Sequence, residues 1–329
     1  MKKIGIIYGN EHSFPYALVE RISNNNKTEV SADLMIVDAL RMDDTINYSV
    51  ILDRVSHEVP FFKSMLKLAV LNGIQVVNNP FHNSPGDNFF QTALSSKIGI
   101  PVPRTVILPC KEHPPGTNSD TMRNMIYPIS WVQMFEYVGF PAYIKPNIQD
   151  GNQNCYKVYN PIEFFAAYDL TGNRSMVLQE SIEHEQYWKS FVIGKKYVKI
   201  MHYDPIKPLN LRYRKTNVKL DSSIKKEIEA NSLKICSALD LDFNSIEFAV
   251  RKGIPYIIDF YNPAANCDKS ILHESNFEWL VQTTSEYLIK LAINGKKENS
   301  NYSWNEFLNS KILEPAIIPK KRGRKKKIV

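Results

Sequence analysis

Apolar positions in the first third of the chain form short runs separated by helical periods. Residues 2–8, KKIGIIY, read as a strand that runs into Gly9-Asn10-Glu11-His12, and a helical period follows from Phe14 to Ile22. Strand-like segments recur at Ala32–Ile36 and Ser49–Leu52, and Ile74–Val77 follows the amphipathic stretch Pro60–Leu71. Strands that alternate with helices predict a parallel sheet. A helix over Asp87–Lys97 then leads through GIPVPRT into a strand ending near Leu108. Pro109–Asn118, a proline- and glycine-bearing connector, is the best internal boundary.

The pattern then changes. Ser130–Val138 has a helical period, and Phe140–Pro146 is a strand that delivers Lys145 to a polar loop, NIQDGNQN, at 147–154. Tyr156–Tyr159 resumes the sheet, Pro161–Asp169 is helical, and Met176–Glu180 is a strand. Trp188–Ile193 and Lys196–Met201 form a hairpin around Gly194-Lys195. Residues 204–217 have no clean period, Ser222–Leu239 is a long amphipathic helix, and Phe277–Ile293 is the last helix.

The stretch Leu241–Asn266, LDFNSIEFAVRKGIPYIIDFYNPAAN, constrains function most. Alternating Ile246, Phe248 and Val250 predict one strand, and Pro255–Asn262 its partner. With a three-residue loop of Lys252, Gly253 and Ile254, Glu247 lies opposite Asp259 on one face. Facing carboxylates repel. A divalent cation between them reverses that sign, and hard oxygen ligands suit Mg²⁺. Asn262 adds a neutral oxygen at the strand's end. The alternative is a surface hairpin with solvated acids. At the first βα turn the lone Gly9 makes no dinucleotide fingerprint. Asp53, Arg54 and His57 fall at the carboxyl end of a strand, where they serve either as a local cap and ion pair or as a substrate contact.

Composition leaves one large or two to three small domains open for 329 residues, with 43% hydrophobic and 23% charged positions as in soluble globular proteins. The net charge of +7 belongs to the C-terminal tail. Residues 320–327, KKRGRKKK, hold seven basic side chains, and the other 34 of the 41 match the 34 acids. No signal-peptide layout or bilayer-length apolar run occurs, and four scattered cysteines without CxxC spacing fit reduced thiols, so a cytoplasmic protein is expected. The scattered histidines and cysteines form no Ser/His/Asp, Cys/His or HExxH set.

In this order the segments resemble the ATP-grasp superfamily of carboxylate–amine ligases, in the manner of glutathione synthetase ATP-binding domains. The likeness runs from about residue 2 to 295 and rests on GIPVPRT, FPAYIKP, VLQES and the acidic hairpin IEFAVRKGIPYIIDFYNPA, which resembles a bacterial branch rather than the peptide or D-alanine ligases. The resemblance implies an α/β protein with an N-terminal parallel-sheet pre-ATP-grasp domain at 1–110. A two-subdomain ATP-grasp fold at 111–310 follows, with its nucleotide-covering subdomain at about 120–185, and a disordered basic tail at 311–329 ends the chain. It implies ATP and Mg²⁺ (or Mn²⁺) as cofactors. Lys145 and the loop glycine Gly151 then contact phosphates; Gln179, Glu180 and the backbone at Ile182 pair with adenine, and Glu185 holds the ribose. Glu247, Asp259 and Asn262 are the implied metal ligands, Arg212 and Arg214 the basic groups near the transferred phosphate or the acceptor, and Lys189 a basic residue near the site.

Three departures stand out. Asp259-Phe-Tyr-Asn262 replaces acid-x-Asn and needs a bulge or strand end to aim both side chains at one ion. The loop 147–154 has one glycine and an acid, Asp150. Asn88 stands where relatives often carry a nucleotide-contacting lysine. The leading expectation is an ATP-dependent ligase that forms an amide or peptide bond between small-molecule carboxylate and amine substrates through an acyl phosphate. The alternatives are a small-molecule kinase on the same fold, or a non-catalytic nucleotide-binding scaffold. In either case Lys320–Lys327 is a candidate contact for nucleic acid or an anionic surface. Oligomeric state is left open.

Overall fold

Three four-stranded sheets organise the described residues, which in this computed structural model are 1–25, 29–81, 87–148, 154–213 and 218–295. The first unit runs β1 (Lys2–Ile7), α1 (Phe14–Ser23), β2 (Val30–Leu34), β3 (Val50–Asp53), α2 (Pro60–Leu71) and β4 (Gln75–Val77). Its strands pair in parallel in the order β2-β1-β3-β4. Both faces are covered, which is why these strands read as continuous apolar runs. Ile4, Ile6, Val50 and Leu52 pack toward α1, while Ile7, Ile51 and Val76 pack toward Met65, Leu66 and Ala69 of α2. Gly5 sits where a Cβ would come within 2.4 Å of Met35 Sδ, so any larger residue would force Met35 aside. Ile36, expected in β2, is fully exposed beyond the strand's end.

The second unit contains α3 (Asn88–Lys97), β5 (Thr105–Leu108), α4 (Trp131–Val138), β6 (Ala142–Pro146), β7 (Tyr156–Val158), α5 (Pro161–Asp169) and β8 (Met176–Glu180). Its sheet is antiparallel in the order β5-β8-β6-β7. Thr105–Leu108, on the N-terminal side of the boundary expected at 110, pairs along β8. Ala142, Ile144, Met176 and Leu178 face Trp131, Phe135 and Phe164 of α4 and α5. The strands' period of two leaves Tyr143, Lys145 and Gln179 on the opposite face.

The third unit is β9 (Gln186–Ile193), β10 (Tyr197–His202), α6 (Ser222–Ala238), β11 (Phe243–Arg251) and β12 (Ile254–Asn262), followed by α7 (Lys269–Leu272) and α8 (Glu274–Asn294). The antiparallel order is β10-β9-β11-β12, and α6 packs behind it on Trp188, Ile246, Phe248 and Ile257. The chain then returns, and Phe277, Leu280 and Leu288 of α8 join the core under α1. The short α7 carried no periodic signal. No helix among the described residues is long and apolar enough to cross a membrane.

Arg54 resolves its two readings in favour of an ion pair. It is 3% exposed and pairs with Glu11 through Nε at 2.8 Å and Nη2 at 2.7 Å. The rest of the guanidinium donates to the carbonyls of Pro263 and Ala265, beyond β12, at 2.8 and 2.6 Å. Asp53 is a local cap, accepting the Val55 and Ser56 N–H groups. Asp268 likewise accepts N–H groups of His12, Ser13 and Phe14, capping α1 from the far end of the chain.

Arg54→Met leaves a buried carboxylate without its partner and is expected to destabilise the fold by about 3–5 kcal/mol. Adding Glu11→Leu should recover much of that loss. Urea denaturation of the single and double variants measures both, and equal stability of the two would contradict this account.

Candidate active site

The turn between β11 and β12 is two residues long, not the expected three. Lys252 (φ 52°) and Gly253 (φ 77°) both lie in the left-handed region, as a type I′ hairpin turn requires, and Ile254 already belongs to β12. On that turn alone Glu247 would face Ile258. It faces Asp259 instead, because β12 carries two irregularities that flank this residue. One falls between the pairs Phe248↔Ile257 and Glu247↔Asp259 and leaves Ile258 as an extra residue. The other falls between Glu247↔Asp259 and Ser245↔Asn262, so that Phe260 and Tyr261 together oppose Ile246. The acid pair was read correctly from the sequence, but through the wrong loop.

The bulges explain the facing of side chains. Phe260 and Tyr261 both enter the apolar layer behind the sheet. Asn262, paired with Ser245, therefore returns by register to the face of Glu247 and Asp259. The bulge that the Asp-x-x-Asn spacing demands is present.

Across the sheet, Lys189, Glu247 and Asp259 form one row on three adjacent strands. Lys189 Nζ lies 2.9 Å from Glu247 Oε1, and the Tyr187 hydroxyl donates to Oε2 at 2.8 Å. Burial pushes the Glu247 carboxyl up, but the Lys189 charge and these hydrogen bonds outweigh it and hold the group below its usual range. Burial lowers the Lys189 ammonium, and Glu247 more than reverses this. Asp259 has the opposite balance. Burial first, and then the Glu247 charge, push its carboxyl up to about 6, against the pull of Lys145 and Lys189. From the opposing sheet Lys145 donates to the Ile258 carbonyl at 3.3 Å, with its own proton affinity lowered by burial.

Lys145, Tyr187, Glu247 and Asp259 line one cavity of about 530 Å³ between the two antiparallel sheets. Of the expected site residues, Lys145, Gln179, Glu180, Ile182, Arg212, Glu247 and Asp259 line it. Lys189, which touches it through Glu247, and Asn262, which shares the face of Glu247 only by register, are not among its lining residues. Asn88 lines it too, with its amide donating to the Pro146 carbonyl at 2.8 Å. Several expected roles meet competing partners. Gln179 donates its amide to Thr105 Oγ1 at 3.0 Å, and Glu180 pairs with Arg251 at 2.8 Å and Arg104 at 3.2 Å. Arg212 donates to the Lys207 carbonyl and the Tyr203 hydroxyl. Glu185 lies outside the cavity lining, its carboxylate accepting the Lys252 N–H at 3.1 Å, while Glu183 and His184 face the cavity. Gly151 and Arg214 lie outside the described residues, as do most of the 147–154 loop and the whole tail.

Sequence reasoning missed Tyr187 and Tyr203, which line the cavity. Tyr203 stacks under Lys189, whose Nζ is 4.8 Å from the ring centre. Tyr187 was within reach, because it sits two positions before Lys189 and so shares its strand face.

The donor set fits a magnesium ion that completes its shell elsewhere. Among the described residues no three His, Cys, Asp or Glu side chains gather to hold a metal by themselves. Two facing carboxylates that repel in a buried setting, with Asn262 on the same face, suit an ion that takes further oxygens from phosphates and water.

Parallel α/β unit, small antiparallel sheet and acidic hairpin sheet, closing on one cavity, together make this an ATP-grasp fold. The D-alanine–D-alanine ligase of Bacillus anthracis, solved with ATP, superimposes with a TM-score of 0.60 at 15% identity over 89% of this chain and 98% of its own. VanG D-Ala:D-Ser ligase from Enterococcus faecalis gives 0.63 at 15% identity, covering 88% and 99%. A RimK domain ATP-grasp protein from Sphaerobacter thermophilus DSM 20745 gives 0.62 at 14%, covering 87% and 99%. No protein-family model matches the sequence, and no curated protein does.

Asp259 keeps its proton to about pH 6 when folded but releases it near pH 4 when unfolded. The folded state thus binds more protons across that window, and metal-free stability falls as pH rises through it. Asp259→Asn should melt a few degrees higher than the wild type at neutral pH in a chelator, and the two should converge near pH 4. Added Mg²⁺ and nucleotide should then stabilise the wild type more than the variant. Thermal melts across pH read this, and coincident curves at neutral pH would contradict the repulsion.

Proposed function

We propose that the protein is an ATP-dependent carboxylate–amine ligase that forms an amide or peptide bond through an acyl phosphate. The observation that carries this reading is the Lys189–Glu247–Asp259 row facing Lys145 across a single cavity. The D-Ala–D-Ala and D-Ala:D-Ser ligases among its structural neighbours support the same class. Glu247, Asp259 and Asn262 would hold Mg²⁺, or Mn²⁺, which would neutralise charge developing in phosphoryl transfer.

This chain's own residues divide the remaining work. Lys145, at the mouth of β6, is a compact cation suited to a phosphate oxygen. The backbone from Glu180 to Ile182 edges the cavity where a flat base would pair. Lys189 and Arg212 supply positive charge beside the carboxylates. The hydroxyls of Tyr187 and Tyr203 are held protonated, since burial foremost and Glu247 next raise both above their usual range. Cations and protonated hydroxyls suit an acceptor that arrives already ionised. A carboxylate does, whereas an alcohol acceptor would need a base. In the first step the carboxylate oxygen attacks the γ-phosphorus of ATP and ADP leaves. In the second the amine attacks the acyl carbon, inorganic phosphate leaves, and the amine's extra proton passes to solvent.

ATP incubated with pooled amino acids and short peptides should yield ADP, phosphate and a condensation product visible by mass spectrometry. Hydroxylamine should divert the acyl group to a hydroxamate. Lys145→Ala should weaken ATP binding with little effect on folding, and Asp259→Asn should abolish turnover. Phosphorylation of a hydroxyl with no hydroxamate would favour a kinase, and no turnover with any acceptor a scaffold. Removing residues 315–329 should leave turnover unchanged while ending salt-sensitive retention on heparin or DNA. Loss of turnover in that truncation would place the tail in the active site.

A further inference from the structure

Asp259 and Asn262 are three positions apart, a spacing that in an unbroken strand points the two side chains to opposite faces. The second bulge of β12 corrects this, but a bulge also takes backbone groups out of the ladder. Buried N–H and C=O groups left without partners are costly. At this bulge one side chain supplies both partners. Asn244 Nδ2 donates to the Phe260 carbonyl at 2.9 Å, and Asn244 Oδ1 accepts the Asn262 N–H at 2.9 Å. Asn244 is fully buried on the α6 side of β11, with Cys236 Sγ 3.6 Å from the same amide nitrogen. A carboxamide offers a donor and an acceptor on one short, rigid group. Serine or threonine would present a single oxygen to both, and aspartate would bring no donor. The Ser245 hydroxyl adds a third hold, donating to the Asn262 carbonyl at 3.2 Å.

We infer that Asn244 is a positioning residue for the cation site. Its carboxamide fixes the bulge that turns Asn262 onto the face of Glu247 and Asp259. Asn244 touches neither metal nor substrate and acts through the backbone of β12. It lies behind the sheet, and it is the device that lets this chain use an Asp-x-x-Asn spacing. The inference rests on the proposed reading of the cavity as a magnesium–nucleotide site.

The test is a double-mutant cycle on nucleotide binding in the intact chain. Wild type, Asn262→Ala, Asn244→Ala and Asn244→Ala/Asn262→Ala are titrated calorimetrically with a non-hydrolysable ATP analogue, with and without Mg²⁺. Each single variant should lose about 10- to 100-fold of the Mg²⁺-dependent gain in affinity, the usual size for a residue supporting a metal ligand. In Asn244→Ala the metal-free affinity should stay at the wild-type level. The double variant should be no weaker than Asn262→Ala alone, since both changes remove the same interaction. Without metal, the Asn262 amide should exchange faster in Asn244→Ala than in wild type. Should Asn244→Ala fold poorly, Asn244→Ser enters the same cycle, keeping one of the two backbone partners. Additive losses, or a lower melting temperature with the Mg²⁺-dependent gain intact, would reduce Asn244 to a structural residue and overturn the inference. A wild type with no Mg²⁺-dependent gain would instead overturn the reading of the site, and the inference with it.

Discussion

A buried guanidinium holds this structure's working end together. Arg54 leaves water entirely, and its fork makes two bonds to Glu11 and one each to the carbonyls of Pro263 and Ala265. The rings of Phe14 and Phe243 lie 5.4 and 4.7 Å from its centre. The charge comes from the parallel-sheet unit, whereas the carbonyls follow β12. Asn78, just past β4, does the same for the neighbouring strand, accepting the Asp242 and Phe243 N–H groups and donating to the Phe243 carbonyl. The open end of the acidic hairpin is thereby fixed on the first unit. Its carboxylates cannot shift without breaking buried, charge-assisted contacts.

What is fixed there is a pair of facing carboxylates in which burial and the Glu247 charge raise the proton affinity of Asp259. Lys189 neutralises Glu247 across one strand gap, and the Asp259 carboxylate sits across the other. The asymmetry separates their proton affinities, with Glu247 held ionised and Asp259 pushed up. Such local conflict, held in place by well-satisfied contacts elsewhere, is expected where structure has been traded for binding.

Much of this was legible from residue order. Periodicity located most of the strands and helices, because buried parallel strands and amphipathic helices differ in period. The facing of Glu247 and Asp259 was legible only by coincidence, because the extra residue of the expected three-residue loop stood in for the first bulge. The bulges were only half legible. The Asp259–Asn262 spacing demanded one, but a register is set by backbone hydrogen bonds that residue types do not display. Asn244 carried no signal at all, since its work is done on the backbone of another strand. Arg54 was visible as a charge at a strand end, yet its partners lie 43 and more than 200 residues away. Glu185 shows the converse: a motif position held its residue type, but the nearby Lys252 N–H occupies the carboxylate.

The two sheets that form the cavity meet through unequal contacts. At the β8 end Glu180 joins Arg251 of the hairpin, and Glu185 joins its turn. These groups are partly solvated, so the contacts add modestly to stability while fixing position. At the mouth of β6 the joint is Lys145 on the Ile258 carbonyl, at a long 3.3 Å, and that carbonyl is available because the first bulge takes Ile258 out of the strand pairing. A charged phosphate oxygen is a stronger acceptor for an ammonium than a neutral carbonyl. On the proposed reading, nucleotide would therefore draw Lys145 from the hairpin to itself, exchanging a weak contact for a strong one. The bulges flanking Asp259 then serve two ends: one aims Asn262, and the other leaves Lys145 a resting partner beside the carboxylates.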